Sequence, residues 1–397
     1  MWIILRLLAL SCFTFALPSL DQRNGEKGGK TNSLTRSIVK NQLKANFDIL
    51  LKRNFTIPLG RVNVTDIRNV TDEPFLNNLD TINEKESEIL WGLDYETLYS
   101  SGNRSLTIVG FEYVPNKRNS SLSTKPRETV TIEELPEPLW DEGLAFAAAY
   151  QTKTPDSIQS YIFHNDDRIY VPFEDKAQKF PFSAVVKIST GCSGTLISTK
   201  HVLTAAHCVH DGKKYLSPIR SLRVGFLLKT GKMKWLRVKE VTIPRGWSNS
   251  NYVIYDYAVL KLKKRFRSQF MTLGVLMNRT GKTKINFAGF PADKLGNGNN
   301  MWYSYCSARL SPQLILSKCD AAGGNSGSGV FVRKRKDGRV TRALIGVFLG
   351  YGVVQRKKGG KKRIRSIATK ITRLKAQQIC AWMKMRPTCF KTYTLRP

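Results

Sequence analysis

The chain has 397 residues, with 64 Lys and Arg against 30 Asp and Glu and a formal net charge of +34 at pH 7. That length holds two globular units, or one domain of two barrels plus an extension. The excess charge is confined: from Ile162 onward there are 46 Lys and Arg against 10 Asp and Glu, whereas residues 1–161 carry 18 against 20. This excludes a charge-balanced C-terminal unit and favours polyanionic partners.

Residues 1–16 are an apolar run (Trp2-Ile3-Ile4-Leu5, Leu7-Leu8-Ala9-Leu10, Phe13) with Thr14 and Ala16 as small cleavage-site residues. The run is too short to span a bilayer comfortably and reads as a signal peptide, with Arg6 late for its basic head. No second stretch reaches transmembrane length, so the expected product is soluble, secreted and extracellular. In that setting polyanions mean heparin-like sulfated glycosaminoglycans or anionic cell surfaces before nucleic acid.

Residues 17–160 are polar, with breakers at Pro58, Pro74, Pro115, Pro126 and Pro136 and a few short strand-like pieces such as Leu106–Gly110. Sequons stand at Asn54, Asn63, Asn69, Asn103, Asn119 and Asn278, all but the last before residue 122. The expectation is an exposed, glycosylated, poorly structured N-terminal extension or pro-segment, partly ordered at best.

After Tyr161 the texture changes to short apolar strands separated by turns: Ala184–Ser189, Thr195–Ser198, Leu222–Phe226, Trp235–Ile243, Tyr257–Leu262, Val330–Val332 and Leu344–Leu349. Lys336-Asp337-Gly338 reads as a hairpin turn. Regular short strands imply an all-β barrel or sandwich. A closing amphipathic helix is predicted over Thr369–Met383, with Ile371, Leu374, Gln378 and Trp382 near one face. Arg333–Lys336 and the run Arg356–Arg365 read as turns loaded with cation. In the second, Lys357, Lys358, Lys361, Lys362 and Arg363 either form a solvated face or bind polyanions.

Cys12 belongs to the signal peptide, which leaves an even six cysteines: Cys192, Cys208, Cys306, Cys319, Cys380 and Cys389. In an oxidising compartment these read as disulfides. Cys192–Cys208 would close a hairpin, and proximity in sequence pairs Cys306 with Cys319 and Cys380 with Cys389. No CxxC pair or HExxH occurs, so neither metal nor cofactor is expected.

Three residues carry chemistry. His207 stands in Thr204-Ala205-Ala206-His207-Cys208, where two small residues let the backbone tuck beneath the ring and imidazole supplies a base near neutral pH. Ser326 lies in Gly323-Gly324-Asn325-Ser326-Gly327-Ser328-Gly329, a backbone bare enough for substrate to approach a nucleophile. The N–H groups of Gly324 and Ser326 would face a developing oxyanion. Among the acids between His207 and Ser326, only Asp256 leads a buried strand, so it is the candidate carboxylate behind the imidazole. The order His, Asp, Ser differs from the Ser, Asp, His of α/β-hydrolases and the Asp, His, Ser of subtilisins.

TAAHC (Thr204–Cys208), YDYAVLKL (Tyr255–Leu262) and GGNSGSG (Gly323–Gly329) resemble the chymotrypsin/trypsin superfamily across roughly residues 162–397. Ile162–Arg168, with the Gly-Asn-Ser-Gly-Ser run, resembles its glutamyl-endopeptidase-like branch. Leu93–Tyr99, Ser189–Cys192 and Cys319-Asp320 resemble the animal secreted serine protease 23 and 35 group, one member of which has lost the nucleophile that Ser326 keeps here.

The resemblance implies a chymotrypsin-like double β-barrel over 161–397 that cleaves protein or peptide substrates through an acyl-enzyme. It also implies that Asp320, six residues before Ser326, floors the S1 pocket and favours Arg or Lys at P1; the other reading is a surface-turn aspartate. Asn325 and Leu349 replace the aspartate and serine of trypsins, and no basic cleavage site precedes Ile162, which argues against trypsin-style activation. The alternative function is a catalytically weak or inactive extracellular heparin-binding protein on a protease scaffold. Nucleic-acid binding would explain the charge but not the leader, the cysteines or the triad.

Overall fold

A computed structural model describes residues 55–56, 62–64, 92–109, 112–113, 160–163, 165–277, 280–294, 299–336, 339–354, 363–386 and 389–394. Ahead of the barrels come β1 (Phe55–Thr56), β2 (Val62–Val64), β3 (Tyr95–Tyr99), β4 (Arg104–Ile108), β5 (Glu112–Tyr113), β6 (Ser160–Tyr161) and β7 (Ile169–Val171). The first barrel is built from β8 (Val185–Ile188), β9 (Ser193–Ser198), β10 (His201–Thr204), β11 (Arg223–Leu227), β12 (Met233–Pro244) and β13 (Ala258–Leu262). They pair in the order β8-β9-β10-β13-β12-β11, and β11 returns to β8. The ring is closed and antiparallel, which removes the exposed edges that an open sheet of such apolar strands would present.

The second barrel follows the same plan. After β14 (Gly274–Leu276) come β15 (Gly281–Gly289), β16 (Met301–Leu310), β17 (Leu314–Ser317), β18 (Ala321–Ala322), β19 (Gly329–Lys336), β20 (Arg339–Val354), β21 (Arg363–Lys370) and β22 (Lys391–Tyr393). The order β15-β19-β20-β21-β17-β16 closes through β15 and β16, with β7 added outside β16. Leu203 and Val259 of the first barrel share one apolar core with Phe331, Leu344 and Val347 of the second. The fold is all-β, a chymotrypsin-like pair of six-stranded barrels. Among the described residues no helix is long and apolar enough to cross a membrane.

Several elements differ from their sequence reading. β20 runs sixteen residues rather than the six of Leu344–Leu349, because its two ends are paired on one side by β19 and on the other by β21. Arg333–Lys336, read as a turn, is the end of β19, with Arg333 opposite Arg342 and Lys336 opposite Arg339. The C-terminal helix, α2 (Arg373–Trp382), starts later than the predicted Thr369. Residues up to Lys370 are claimed by β21, where Ile367 and Thr369 pair with Leu316 and Leu314. Thr372 then caps the helix, its side chain accepting the Lys375 N–H, as a β-branched hydroxyl at that position does. A short helix α1 (Arg245–Ser248) follows β12.

The barrel sheet begins before residue 161. β3 pairs antiparallel with β12, from Glu240 opposite Tyr99 to Pro244 opposite Tyr95. β4 continues outward, with Tyr95 opposite Thr107 and Leu98 opposite Arg104, and β2 pairs with β4. The strand expected at Leu106–Gly110 is therefore Arg104–Ile108, one arm of a hairpin built onto the first barrel. Three disulfides, Cys192–Cys208, Cys306–Cys319 and Cys380–Cys389, join residues 16, 13 and 9 apart in sequence.

Candidate active site

His207 sits on a single helical turn, Ala206–Cys208, immediately after β10. Asp256 ends a similar turn, Val253–Tyr255, just before β13. Since β10 and β13 are paired neighbours, Thr204 opposite Ala258, the two turns leave the barrel side by side. The Asp256 side chain is 0% exposed. Its Oδ1 accepts the His207 backbone N–H at 2.9 Å, and its Oδ2 lies 2.6 Å from His207 Nδ1. A carboxylate only accepts, so it selects the tautomer with the proton on Nδ1 and leaves Nε2 with its lone pair. Ala205 and Ala206 are fully buried, and Trp247 lies beside the imidazole with ring centroids 6.2 Å apart.

Ser326 lies in the turn between β18 and β19. Its carbonyl accepts the Ser193 N–H at 2.8 Å, and Ser193 adjoins Cys192, whose disulfide reaches Cys208 beside His207. Gly327 packs directly beneath the histidine turn: a Cβ there would lie 2.2 Å from both Ser193 O and Thr204 Oγ1. These links tie the Ser326 turn to the segments on either side of His207 in the disulfide-closed loop. The Ser326 hydroxyl donates to the Leu349 carbonyl at 3.0 Å, so Leu349 contributes a backbone atom for which the change from serine is immaterial.

Gly324 adopts φ +94°, and a Cβ there would lie 2.3 Å from the Phe290 carbonyl. Its own carbonyl accepts from Ser193 Oγ at 2.7 Å, and that oxygen in turn accepts the Phe290 N–H at 2.9 Å. Asn325 is buried, its N–H donating to the Ala322 carbonyl and its carbonyl accepting the Ser328 N–H. Asn325 Oδ1 is buried with no hydrogen-bond partner among the described residues. It is an acceptor that carries no charge.

Asp320 is 3% exposed, which overturns the surface-turn reading. Its Oδ1 accepts the Phe163 N–H at 2.8 Å and its Oδ2 the Asp167 N–H at 3.2 Å. The adjoining Ala321 and Ala322 pair with Tyr161 and Ser160. Asp320 thus ties the strand leading to Ser326 onto the segment around residue 163. The Asp167 carboxyl is pushed up by burial and then by the Asp320 charge.

A further cluster escaped the sequence reading. The Arg168 side chain is 2% exposed. It donates from Nε and one terminal nitrogen to Asp166 at 2.8 and 2.7 Å, and from both terminal nitrogens to Asp293 at 2.9 and 2.7 Å. The Arg168 hydrogen bonds hold the Asp166 carboxyl well below the usual carboxylate range. Asp293 follows Ala292, whose N–H donates to the Gly323 carbonyl at 2.7 Å. A buried cation therefore couples residues 166–168 to the loop packed on Gly323-Gly324. The pattern Asn-Asp-Asp-Arg was visible, but its second carboxylate is 125 residues away.

His201 and His210 are structural. Burial pushes His201 and His210 down to about 4. His201 Nδ1 is bonded to Ser198 Oγ, and His210 Nδ1 accepts the Gly212 N–H. Cys192, His207 and Cys208 bring ligand-type atoms within 4.8 Å of one another, but both sulfurs are in a disulfide and Nδ1 is committed to Asp256, a donor set that does not suit a metal. Asn103 is exposed in the β3–β4 turn and Asn63 lies in β2; Asn54, Asn69, Asn119 and Asn278 fall outside the described residues, as do Lys357, Lys358, Lys361 and Lys362. Arg363 is exposed at the start of β21, opposite Val354.

Two closed antiparallel barrels with a histidine–carboxylate pair and a glycine-flanked serine between them define a chymotrypsin-like protease scaffold. The family model described as Trypsin matches residues 169–376. The chain is similar to serine protease 23 of Mus musculus, 36% identical over 74% of this chain and 76% of that protein, and to its Homo sapiens counterpart at 35% over the same shares. It is also similar to inactive serine protease 35 of Mus musculus, 30% identical over 75% of this chain and 79% of that protein. Among solved structures, a Glu endopeptidase in complex with MPD aligns at 22% identity and a TM-score of 0.45, covering 57% of this chain and all of that one. This chain belongs to the trypsin family.

Proposed function

We propose that the chain is a secreted serine endopeptidase in which His207, Asp256 and Ser326 act as the triad. The observation that carries this reading is the two-point grip of a fully buried Asp256 on His207, through the backbone N–H and Nδ1 together. In the proposed reaction the Ser326 hydroxyl turns from the Leu349 carbonyl to His207 Nε2, and Oγ attacks the peptide carbonyl carbon as its proton passes to Nε2. The N–H groups of Gly324 and Ser326 receive the oxyanion. Collapse breaks the C–N bond, the amine leaves with the His207 proton, and water repeats the sequence to free the acid.

Asp320 is the proposed floor of the S1 pocket, favouring Arg or Lys at P1. A carboxylate offers about four acceptor sites; the Phe163 and Asp167 amides and the Asp167 carboxyl take part of that capacity, and a cationic side chain would use the rest. A substrate library that prefers acidic or aromatic P1 residues removes Asp320 from that role. Residues 1–16 are proposed as the secretory leader, and the exposed sequon at Asn103 as a glycan site.

One relative is described as inactive, so the decisive experiment is fluorophosphonate labelling of the secreted protein. Labelling that maps to Ser326 and disappears in Ser326→Ala supports the enzyme. A properly folded wild-type protein that never labels leaves the rival, an inactive polyanion-binding scaffold. Polyanion binding itself is favoured by Arg333 opposite Arg342, since like charges facing each other across strands repel. Neutralising Lys357, Lys358, Lys361, Lys362 and Arg363 together should bring heparin elution to lower salt and leave small-peptide turnover unchanged; unchanged elution removes that patch.

A further inference from the structure

Residues 92–109 lie in the segment that the sequence reads as a pro-segment, yet they touch what surrounds both His207 and Asp256. Three routes lead inward. In the first, the carbonyls of Asp94 and Gly92 accept the N–H groups of Arg245 and Gly246 at 2.6 and 3.1 Å. Those are the first donors of α1, which a helix cannot satisfy internally. α1 carries Trp247, whose indole N–H donates to the His210 carbonyl at 2.9 Å and whose ring lies beside His207.

The second route ends at Tyr255, the residue before Asp256. Its ring is held between two glycines: a Cβ on Gly92 would lie 2.4 Å from Cζ, and one on Gly246 2.3 Å from Cδ2. The third ends at Tyr257, the residue after Asp256. The Tyr257 hydroxyl donates to Gln378 Oε1, and Gln378 Nε2 donates to the Leu93 carbonyl. Tyr257 also stacks on Trp382 (centroids 5.7 Å apart), and Trp382 meets Tyr95 edge-on at 5.4 Å. The hairpin is clasped at its base, where Asp94 Oδ1 accepts the Val109 N–H at 2.9 Å.

No cysteine occurs between residues 13 and 191, so no disulfide could tether the hairpin to the barrels after a cut. What retains it is strand pairing along the whole of Tyr95–Tyr99 and burial of Leu93, Tyr95, Leu98 and Val109 in the main core.

We propose that residues 92–109 are a permanent part of the catalytic unit, a positioning element for the His207–Asp256 pair, and that a cut between residues 114 and 159 leaves them in place as a non-covalently held chain. The proposal rests on the triad reading for its effect on turnover, but its structural content can be tested without turnover.

The experiment uses the full chain with a site for a specific protease inserted between residues 115 and 158. After cutting, the two pieces should co-elute on a sizing column, and fluorophosphonate should label Ser326 at the uncut rate. Mild urea that releases the N-terminal piece should abolish labelling together with the far-downfield proton resonance of the short His207–Asp256 hydrogen bond. Re-adding the piece should restore both. In the uncut chain, Gln378→Leu should lower kcat about tenfold at unchanged KM and broaden that resonance. A piece that dissociates on cutting, with labelling and resonance intact in the remainder, overturns the proposal. A resonance that follows the piece in a protein that never labels supports the positioning role and defeats the catalytic reading instead.

Discussion

Asp256→Asn is the most informative single substitution, because the geometry dictates which way the amide must face. In the native site Oδ1 accepts a backbone N–H and Oδ2 faces Nδ1. The His207 backbone N–H can only donate, so the asparagine oxygen must take the Oδ1 place. The reverse orientation would set donor against donor in a fully buried site, at a cost of about 1–3 kcal/mol. The NH₂ group is thereby directed at Nδ1, which must become an acceptor, and the ring proton moves to Nε2. A protonated Nε2 cannot take the Ser326 proton. The expected loss in kcat is on the order of 10⁴-fold, or about 5.4 kcal/mol of barrier at 1.36 kcal/mol per decade. The shape is nearly unchanged, so circular dichroism and the sizing profile should match wild type. Steady-state peptide hydrolysis after active-site titration measures the effect. A folded Asp256→Asn protein within tenfold of wild type would refute the tautomer argument and, with it, the role of Asp256.

Arg168→Ala takes the buried guanidinium from Asp293 and leaves Asp166 with Lys294 alone, and should destabilise by about 3 kcal/mol, read as a lowered Tm; Arg168→Lys should recover only part, because an ammonium cannot reproduce the fork that joins Asp166 to Asp293. An alanine variant that melts like wild type would show the cluster to be dispensable. Asp94 has its pKa raised to about 6, first by burial, against the Val109 N–H and the Arg245 charge, which lower it. The folded protein therefore binds a proton between about pH 4 and pH 6 that the unfolded chain does not, so this carboxyl's contribution to stability is complete below about pH 4 and lost as pH rises through about 6. Wild type minus Asp94→Asn in thermal unfolding should decline over that window and level off above it; a flat difference removes the shift. Finally, Asn325 offers no charge to pair with a buried ammonium, and Ser160–Tyr161 already pair with Ala322–Ala321 in the uncut chain. Uncut protein should therefore label at Ser326 as readily as protein cut before Ile162, whereas labelling only with a free Ile162 amine would assign that amine to Asn325 Oδ1.

The candidate site was legible where its chemistry is local. The TAAHC pentapeptide, the glycines flanking Ser326 and the strand behind Asp256 each place their residue through neighbours within a few positions. The barrels were legible as a class because short apolar strands at regular spacing have few other ways to bury themselves. Boundaries were poorer where pairing overrides propensity: Thr369 and Lys370 fall within the predicted helix but are held by β21, and the cationic Arg333–Lys336 is extended because β20 supplies a partner strand.

What the sequence by itself determined was the set of reactive groups and the kind of fold that carries them. What only the tertiary structure decided was which distant segments share a site. Arg168 finds Asp293, Asp320 takes the amides of Phe163 and Asp167, and residues 92–109 become an outer hairpin of the first barrel beside Tyr255 and Tyr257. Each joins residues more than 120 positions apart, where periodicity and spacing carry no signal. A closing barrel brings them together because buried charges need partners and unpaired strand edges need neighbours, wherever along the chain these lie.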